Sequence, residues 1–400
     1  VDILRFPDGF EWATATAAHQ IEGGNVGNDW WAFEHAPGTP CVESSADACD
    51  SWLRWGEDVA VLGELGFDSY RFSVEWSRLQ PAPGEWSTAA LDNYARLCDG
   101  LLAAGVRPTV TLHHFTNPSW IAALGGWTSA DTPARLAEMA SRVAERLGDV
   151  VGRFCTLNEP NVVAVMGYLL GVFPPGAVED QAGHDTAVAN LVAAHRLAVD
   201  AVRSAAPSAQ VGLTVSMMDY QAAPGGEEQA ARAEGSEDVF LDATEGDDFV
   251  GVQVYSRMVM GPGGWIGPQP GVRVIPTMGY EYWPEALGAC VRRAWARTGG
   301  RTPVMVTENG IATTDDAERI RFVHAALRSV HDCLADGIGV TGYTYWSLLD
   351  NFEWAFGYTP TFGLVAVDRD TFVRTPKGSA RWLSGVMAAN AIPEALDPPR

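Results

Sequence analysis

Short apolar, β-branched runs alternate along the chain with longer segments of helical period. The runs are "FEWATATAAHQ" (10–20), "FDSYRFSVEW" (67–76), "RPTVTLHHF" (107–115) and "RFCTLNEP" (153–160). They continue with "QVGLTVSM" (210–217), "DFVGVQVYS" (248–256), "PVMVTENG" (303–310) and "VTGYTYWSLLDN" (340–351). Between them, Leu91, Tyr94, Leu97, Cys98, Leu101 and Leu102 share one helical face, with Ser87 or Thr88 able to cap the start and Gly105 the end. Residues 132–148 repeat the period with Pro133 in the first turn, and 184–205 and 317–337 follow. A helix before each next strand means crossover connections, hence parallel strands. Eight such units predict an α/β fold, a single (β/α)8 TIM barrel over residues 1–400 with elaborated βα loops at its C-terminal face.

Composition narrows the function. With 47% apolar and 19% charged residues, the chain has ample material for a core. No apolar run reaches the roughly 18–20 residues that span a bilayer. No basic segment followed by an apolar run opens the sequence, so the expectation is a cytoplasmic protein. A net charge of −23 argues against nucleic acid and, more weakly, against anionic membranes and phosphorylated substrates. The six cysteines form no CxxC or Cys/His metal spacing. Cys41 and Cys49 are near enough in sequence to close a loop, although free thiols are the expectation.

Barrel enzymes carry their chemistry at the C-terminal ends of the strands, and polar residues collect there. Run one ends in His19, Gln20 and Glu22, and run two carries Arg71. Run three ends in His113 and His114, and run four in Asn158 and Glu159. Run six ends in Gln253 and Tyr255, run seven in Glu308 and Asn309. In run eight the strand is expected to end in Trp346, with Asp350, Asn351, Glu353 and Trp354 just beyond. "TLNEP" and "VTENG" share one logic: a β run, then a glutamate beside an asparagine. One such glutamate is most often a solvated cap. Two facing one barrel mouth suit glycosidic-bond hydrolysis, one as nucleophile and the other as acid and then base. Arg71 is placed to keep Glu308 ionised. Strand alternation sends one of His113 and His114 inward and the other outward, and no HxH or HExxH spacing points to a metal. Trp30, Trp31, Trp52 and Trp55 read as packing or rim.

Taken together, "FPDGFEWATATAAHQIEG", "YRFSVEWSRLQP", "TLHHFTNP", "TLNEP", "VTENG", "YWSLLDNFEWAFGY" and "FGLVAVD" resemble the family 1 glycoside hydrolases, the β-glucosidase and β-galactosidase family. The resemblance implies a retaining exo-β-glycosidase, with Glu159 as acid/base and Glu308 as nucleophile. It implies sugar contacts from Gln20, His114, Asn158, Glu353 and Trp354, a platform at Trp346, and Tyr255 and Arg71 around the nucleophile. No metal or organic cofactor is implied; the partner is a small β-glycoside or oligosaccharide. The chain departs from the family pattern at Phe115 (usually Trp), at Gln253 (usually Asn) and at "TFG", where Thr361 precedes Phe362. These positions touch sugar preference rather than the reaction. Glu353 would repel a phosphorylated sugar. A transglycosidase on the same scaffold and a non-catalytic sugar-binding barrel are the alternatives. The Gly/Pro-rich loop 261–271 with Trp265, and also Pro118 and Trp120, are candidates for the outer mouth.

Overall fold

The structure, a computed structural model, describes residues 3–396; residues 1–2 and 397–400 of the expected single unit lie outside the described residues. Eight strands close a parallel barrel: β1 (Glu11–Ala15), β2 (Ser69–Ser73), β3 (Arg107–His113), β4 (Arg153–Asn158), β5 (Gln210–Ser216), β6 (Phe249–Gln253), β7 (Val304–Asn309) and β8 (Val340–Trp346). Sequential strands pair throughout, and β8 closes on β1 through Gly342↔Glu11 to Trp346↔Ala15. Each of the eight lies inside one of the runs read from the sequence.

The barrel is shorter than those runs at two ends. β1 stops at Ala15, and Ala18–Ile21 coil into one helical turn whose first N–H, that of Ala18, donates to Ser73 Oγ at 2.7 Å. His19 and Gln20 therefore project from a turn above the barrel rather than from a strand. β8 likewise ends at Trp346, five residues before the run does.

Helices connect the strands on the outside: α1 (Ser51–Leu65), α2 (Thr88–Ala103), α3 (Thr132–Leu147), α4 (Gln181–Ala205), α5 (Glu227–Ala243), α6 (Ala286–Arg297) and α7 (Asp316–Ala335), with α8 (Gly378–Ala389) after β8. Their starts follow capping chemistry. Ser87 Oγ accepts the Ala90 N–H at 3.2 Å, and Asp315 Oδ1 accepts those of Ala317 and Glu318. α4 begins three residues before its apolar period, because Asp180 caps it through the Gly183 N–H at 2.9 Å.

Small β elements that carry no clear signal in the sequence decorate this frame. Asp219–Ala222, Arg257–Gly261 and Gly264–Trp265 form a three-stranded sheet from the segments after β5 and β6. Ile3–Arg5 pairs antiparallel with Ala391–Pro393, clasping the two ends of the described chain beneath Trp12, whose indole donates to Asn390 at 3.0 Å. Inside the barrel the space is tight. A Cβ on Gly251 would come within 2.8 Å of side chains of both Thr214 and Thr307, so glycine is required there by close approach. All six cysteines are free, Cys41 and Cys49 among them. Among the described residues, no helix is long and apolar enough to cross a membrane.

Candidate active site

A cavity of about 430 Å³ opens at the C-terminal end of the barrel. Its inner surface is made by Gln20, His114, Asn158, Glu159, Tyr255 and Glu308, with Trp346, Glu353, Trp354, Phe115 and Phe362 around them. Of the thirteen residues assigned from the sequence to the reaction or to the sugar, eleven thus line one cavity. The other two, Arg71 and Gln253, lie behind it and hold what lines it.

Glu308 is the penultimate residue of β7 and the hub of this inner layer. Arg71 on β2 donates to its Oε1 at 2.6 Å, and Gln253 on β6 donates to the same oxygen at 2.8 Å. Tyr255 donates its hydroxyl proton to Oε2 at 2.7 Å. Asn158 is locked by two of the same groups and one more: Arg71, Gln253 (2.9 Å) and Thr214 (3.4 Å) all donate to its Oδ1. Three donors on one oxygen orient the amide. Its Nδ2 then lies 3.2 Å from His114 Nε2. One arginine fork and one glutamine amide therefore bind β2, β4, β6 and β7 together around a single carboxylate.

Glu159 follows β4 with left-handed backbone (φ 46°, ψ 58°) and leads into a short helix at Pro160. Its N–H donates to Thr214 O at 2.9 Å, which ties the turn to β5. Burial pushes its carboxyl well above the ordinary range, and the neighbouring charge of Glu308 pushes it further. Burial also raises Glu308 above its ordinary value, but there the charge of Arg71 and the hydrogen bonds from Tyr255 and Arg71 oppose the rise. The environments thus separate two chemically identical side chains, as acid and base roles require.

A third carboxyl, Glu353, enters from the loop after β8. Burial, then the charge of Glu308, lifts it to about 8. Gln20 Nε2 lies 3.2 Å from its Oε2 and also donates to Phe352 O at 2.8 Å. Gln20 Oε1, His114 Nδ1 and the Tyr280 hydroxyl are buried polar atoms without a partner. Aromatic rings stack nearby: His114 is nearly parallel to Trp346 (5.9 Å, 23°) and to Trp354 (6.0 Å, 14°). Phe115 packs on Trp354 at 5.0 Å and Phe173 at 5.1 Å.

Other polar candidates go elsewhere. His113 turns away, its Nε2 3.1 Å from Asn117 Oδ1 and its ring edge-on to Trp127. His19 supports the site from behind, stacked on Trp354 at 5.7 Å. Asp350 pairs with Lys377 at 2.8 Å. Trp30 is buried against Trp354 and Phe173, and Trp52 packs edge-on to Tyr94 under Arg78. Among the described residues, no three His, Cys, Asp or Glu side chains gather in a way that would hold a metal ion.

The outer mouth differs from expectation. Trp265, Pro118 and Trp120 do not line the cavity. Trp120 donates its indole N–H to Gln80 O at 2.9 Å and packs on Trp76. The β6 loop does contribute, but through Met278 and Tyr280, several residues beyond Trp265. Val162, Met166 and Phe173 from the segment after β4, and Phe356 after β8, complete the wall. Phe356 falls within the motif "YWSLLDNFEWAFGY" but is not singled out by it, and the others have no periodic or motif signal in the sequence.

Two carboxyls of unequal acidity facing one cavity are the equipment of glycosidic-bond hydrolysis, and the class is that of the glycoside hydrolases. A family model described as "Glycosyl hydrolase family 1" matches residues 3–258 and 273–392, and the chain belongs to that family. The unmatched gap holds the end of the small β sheet and Trp265. The chain is 36% identical to thermostable β-glucosidase B of Thermobispora bispora, over 97% of this chain and 92% of that one. It is 32% identical to β-glucosidase A of Thermotoga maritima, over 98% and 100%. A crystal structure of β-glycosidase BGL167 superposes with a TM-score of 0.90 at 44% identity, covering 98% of this chain and 100% of that one.

Proposed function

We propose that the protein is a retaining exo-β-glycosidase whose principal substrates are β-glucosides. The observation that carries this reading is the pair Glu159 and Glu308 in one cavity, with only Glu308 held directly by a cation. Glu308 attacks the anomeric carbon while Glu159 gives its proton to the departing oxygen, and the sugar becomes bonded to Glu308. Glu159, now ionised, takes a proton from water as that water attacks the same carbon. The sugar leaves with its configuration kept, and both carboxyls return to their starting states.

Asn158, with its amide oriented by three donors, presents Nδ2 towards the sugar's 2-hydroxyl, a contact that strengthens in the transition state. Gln20 and Glu353, side by side, take two further hydroxyls. The unpartnered Gln20 Oε1 and His114 Nδ1 gain partners when a sugar enters. Trp346 is the platform beneath the ring, with Phe115, Trp354 and Phe362 as walls. Arg71, Gln253 and Tyr255 position the nucleophile.

The lining contains Glu159, Glu308 and Glu353 and no lysine or arginine, which favours a neutral sugar over a phosphorylated one. Glucose as the favoured sugar rests on the relatives, which are named β-glucosidases. The test is kcat/KM on a panel of p-nitrophenyl β-glycosides, together with Glu308→Gly. Expected are highest turnover of the glucoside, loss of roughly 10³-fold or more in the variant, and partial recovery with azide. Proton NMR should show the β-anomer released first. Retained activity in Glu308→Gly, or initial release of the α-anomer, would overturn the mechanism.

A further inference from the structure

The cavity changes character with depth. Its floor comes from strand ends and is polar and buried: Asn158, Glu159 and Glu308 are each at most 8% exposed. Its outer wall comes from four separate loops and carries no charged side chain. Pro40 and Val42 follow β1, Met166 and Phe173 follow β4, Met278 follows β6, and Phe356 follows β8. Val42 is 69% exposed and Phe356 46%, so the apolar wall continues out to the surface. In a chain with 50 Asp and Glu residues, an outer lining without one is a specific departure from the rest of the surface; Glu43 stands beside it at the rim, where its Oε2 accepts the Tyr358 N–H at 2.8 Å. Tyr280, from the same loop as Met278, is the polar exception: its hydroxyl is buried and without a partner, and burial, then the charge of nearby Glu353, raises it.

From this wall, and resting on the β-glycosidase reading above, we infer that the leaving group is an alkyl or aryl alcohol rather than a second hexose. A hexose presents hydroxyls around its whole edge. Against Val42, Met166, Met278 and Phe356 those hydroxyls would lose water and gain nothing in return. An aromatic face alone does not make a sugar subsite, because orientation needs polar groups at the ring's edge. An apolar aglycone matches the wall, and two unbranched methionines let the wall fit different shapes.

The experiment measures kcat/KM for methyl, butyl, hexyl and octyl β-glucoside, below micelle-forming concentrations, and for cellobiose. Alcohol acidity barely changes along the alkyl series, so a trend reports burial. The expected result is a rise of roughly tenfold or more from methyl to octyl, with KM for octyl β-glucoside below that for cellobiose. Val42→Asp and Phe356→Asp, at exposed positions, should flatten the slope of log kcat/KM against chain length. A flat wild-type series, or a lower KM for cellobiose, overturns the inference while p-nitrophenyl β-glucoside turnover leaves the glycosidase reading standing. Failure to hydrolyse any β-glycoside would overturn both.

Discussion

Phe115, Glu159 and Trp354 all hold left-handed backbone, at φ 70°, 46° and 52°, and all three line the cavity. Non-glycine residues rarely sit there, at a cost of about 1–3 kcal/mol each, and persist where surrounding contacts hold them. At Glu159 that contact is the N–H to Thr214 O, and the turn is what lifts an acid out of the β4 line into the cavity. Single groups around Glu308 are equally accountable. The Tyr255 hydroxyl stabilises the ionised nucleophile, so Tyr255→Phe should raise the Glu308 pKa. The acid limb of kcat/KM against pH then moves to higher pH, and kcat/KM at its optimum falls about tenfold; an unmoved limb would contradict the role. Glu353 carries a stability consequence. Its folded pKa of about 8 stands above its ordinary 4.5. Between those values the folded state keeps a proton that the unfolded chain releases, so stability falls as pH rises through that window. Glu353→Gln should therefore gain Tm over the parent, with the gain growing from pH 5 to pH 8; a pH-independent difference would refute the assignment.

At the scale of elements, the two ends of the barrel do different work. Glu11 opens β1 at the end away from the cavity and joins Arg107 at the start of β3 (3.0 Å) to Arg153 at the start of β4 (2.6 Å). Burial opposes its charge, but Arg153 and then Arg107 outweigh burial and hold its carboxyl below the ordinary value. A depressed pKa contributes stability above the unfolded value and loses it as pH falls through the folded one. Glu11→Ala should lower stability by about 1–2 kcal/mol at pH 7, discounted because Arg107 is largely exposed. The deficit should close in acid, with kcat/KM on glucosides unchanged. Loss of activity without loss of Tm would show that the two ends are not separable. The strands themselves were legible because parallel barrel strands, buried on both faces, read as continuous apolar runs. Their ends were less so: "FEWATATAAHQ" contains a strand, a corner and a helical turn, and the corner is held by bonds made across the fold, Thr16 N–H to Arg71 O and Ala18 N–H to Ser73 Oγ.

At the scale of the whole molecule, repetition decided what was readable. Eight strand-and-helix units predict closure, and closure brings Glu159 and Glu308, far apart in sequence, to one opening. Met166, Phe173 and Met278 of the outer wall were missed because loops have no period from which to infer where a side chain points, and Phe356, although inside a motif, was passed over for the same reason. Trp265 was chosen from the same loop as Met278 and Tyr280 and does not line the cavity; composition marked the loop, and packing chose which of its residues turn inward. Charge shows the same division. The net −23 is a property of the chain alone, but its absence from the cavity's outer wall depends on which loops meet there. Local order of residues thus determined the strands, the helices and the two acids at strand ends, because period and capping act over a few neighbours. Only tertiary structure decided that one arginine fork and one glutamine would serve both Asn158 and Glu308, that the two acids would differ in affinity for a proton, and that the mouth would be apolar. Those properties arise from contacts between segments tens to hundreds of residues apart and from the removal of water, neither of which a neighbour-by-neighbour pattern contains.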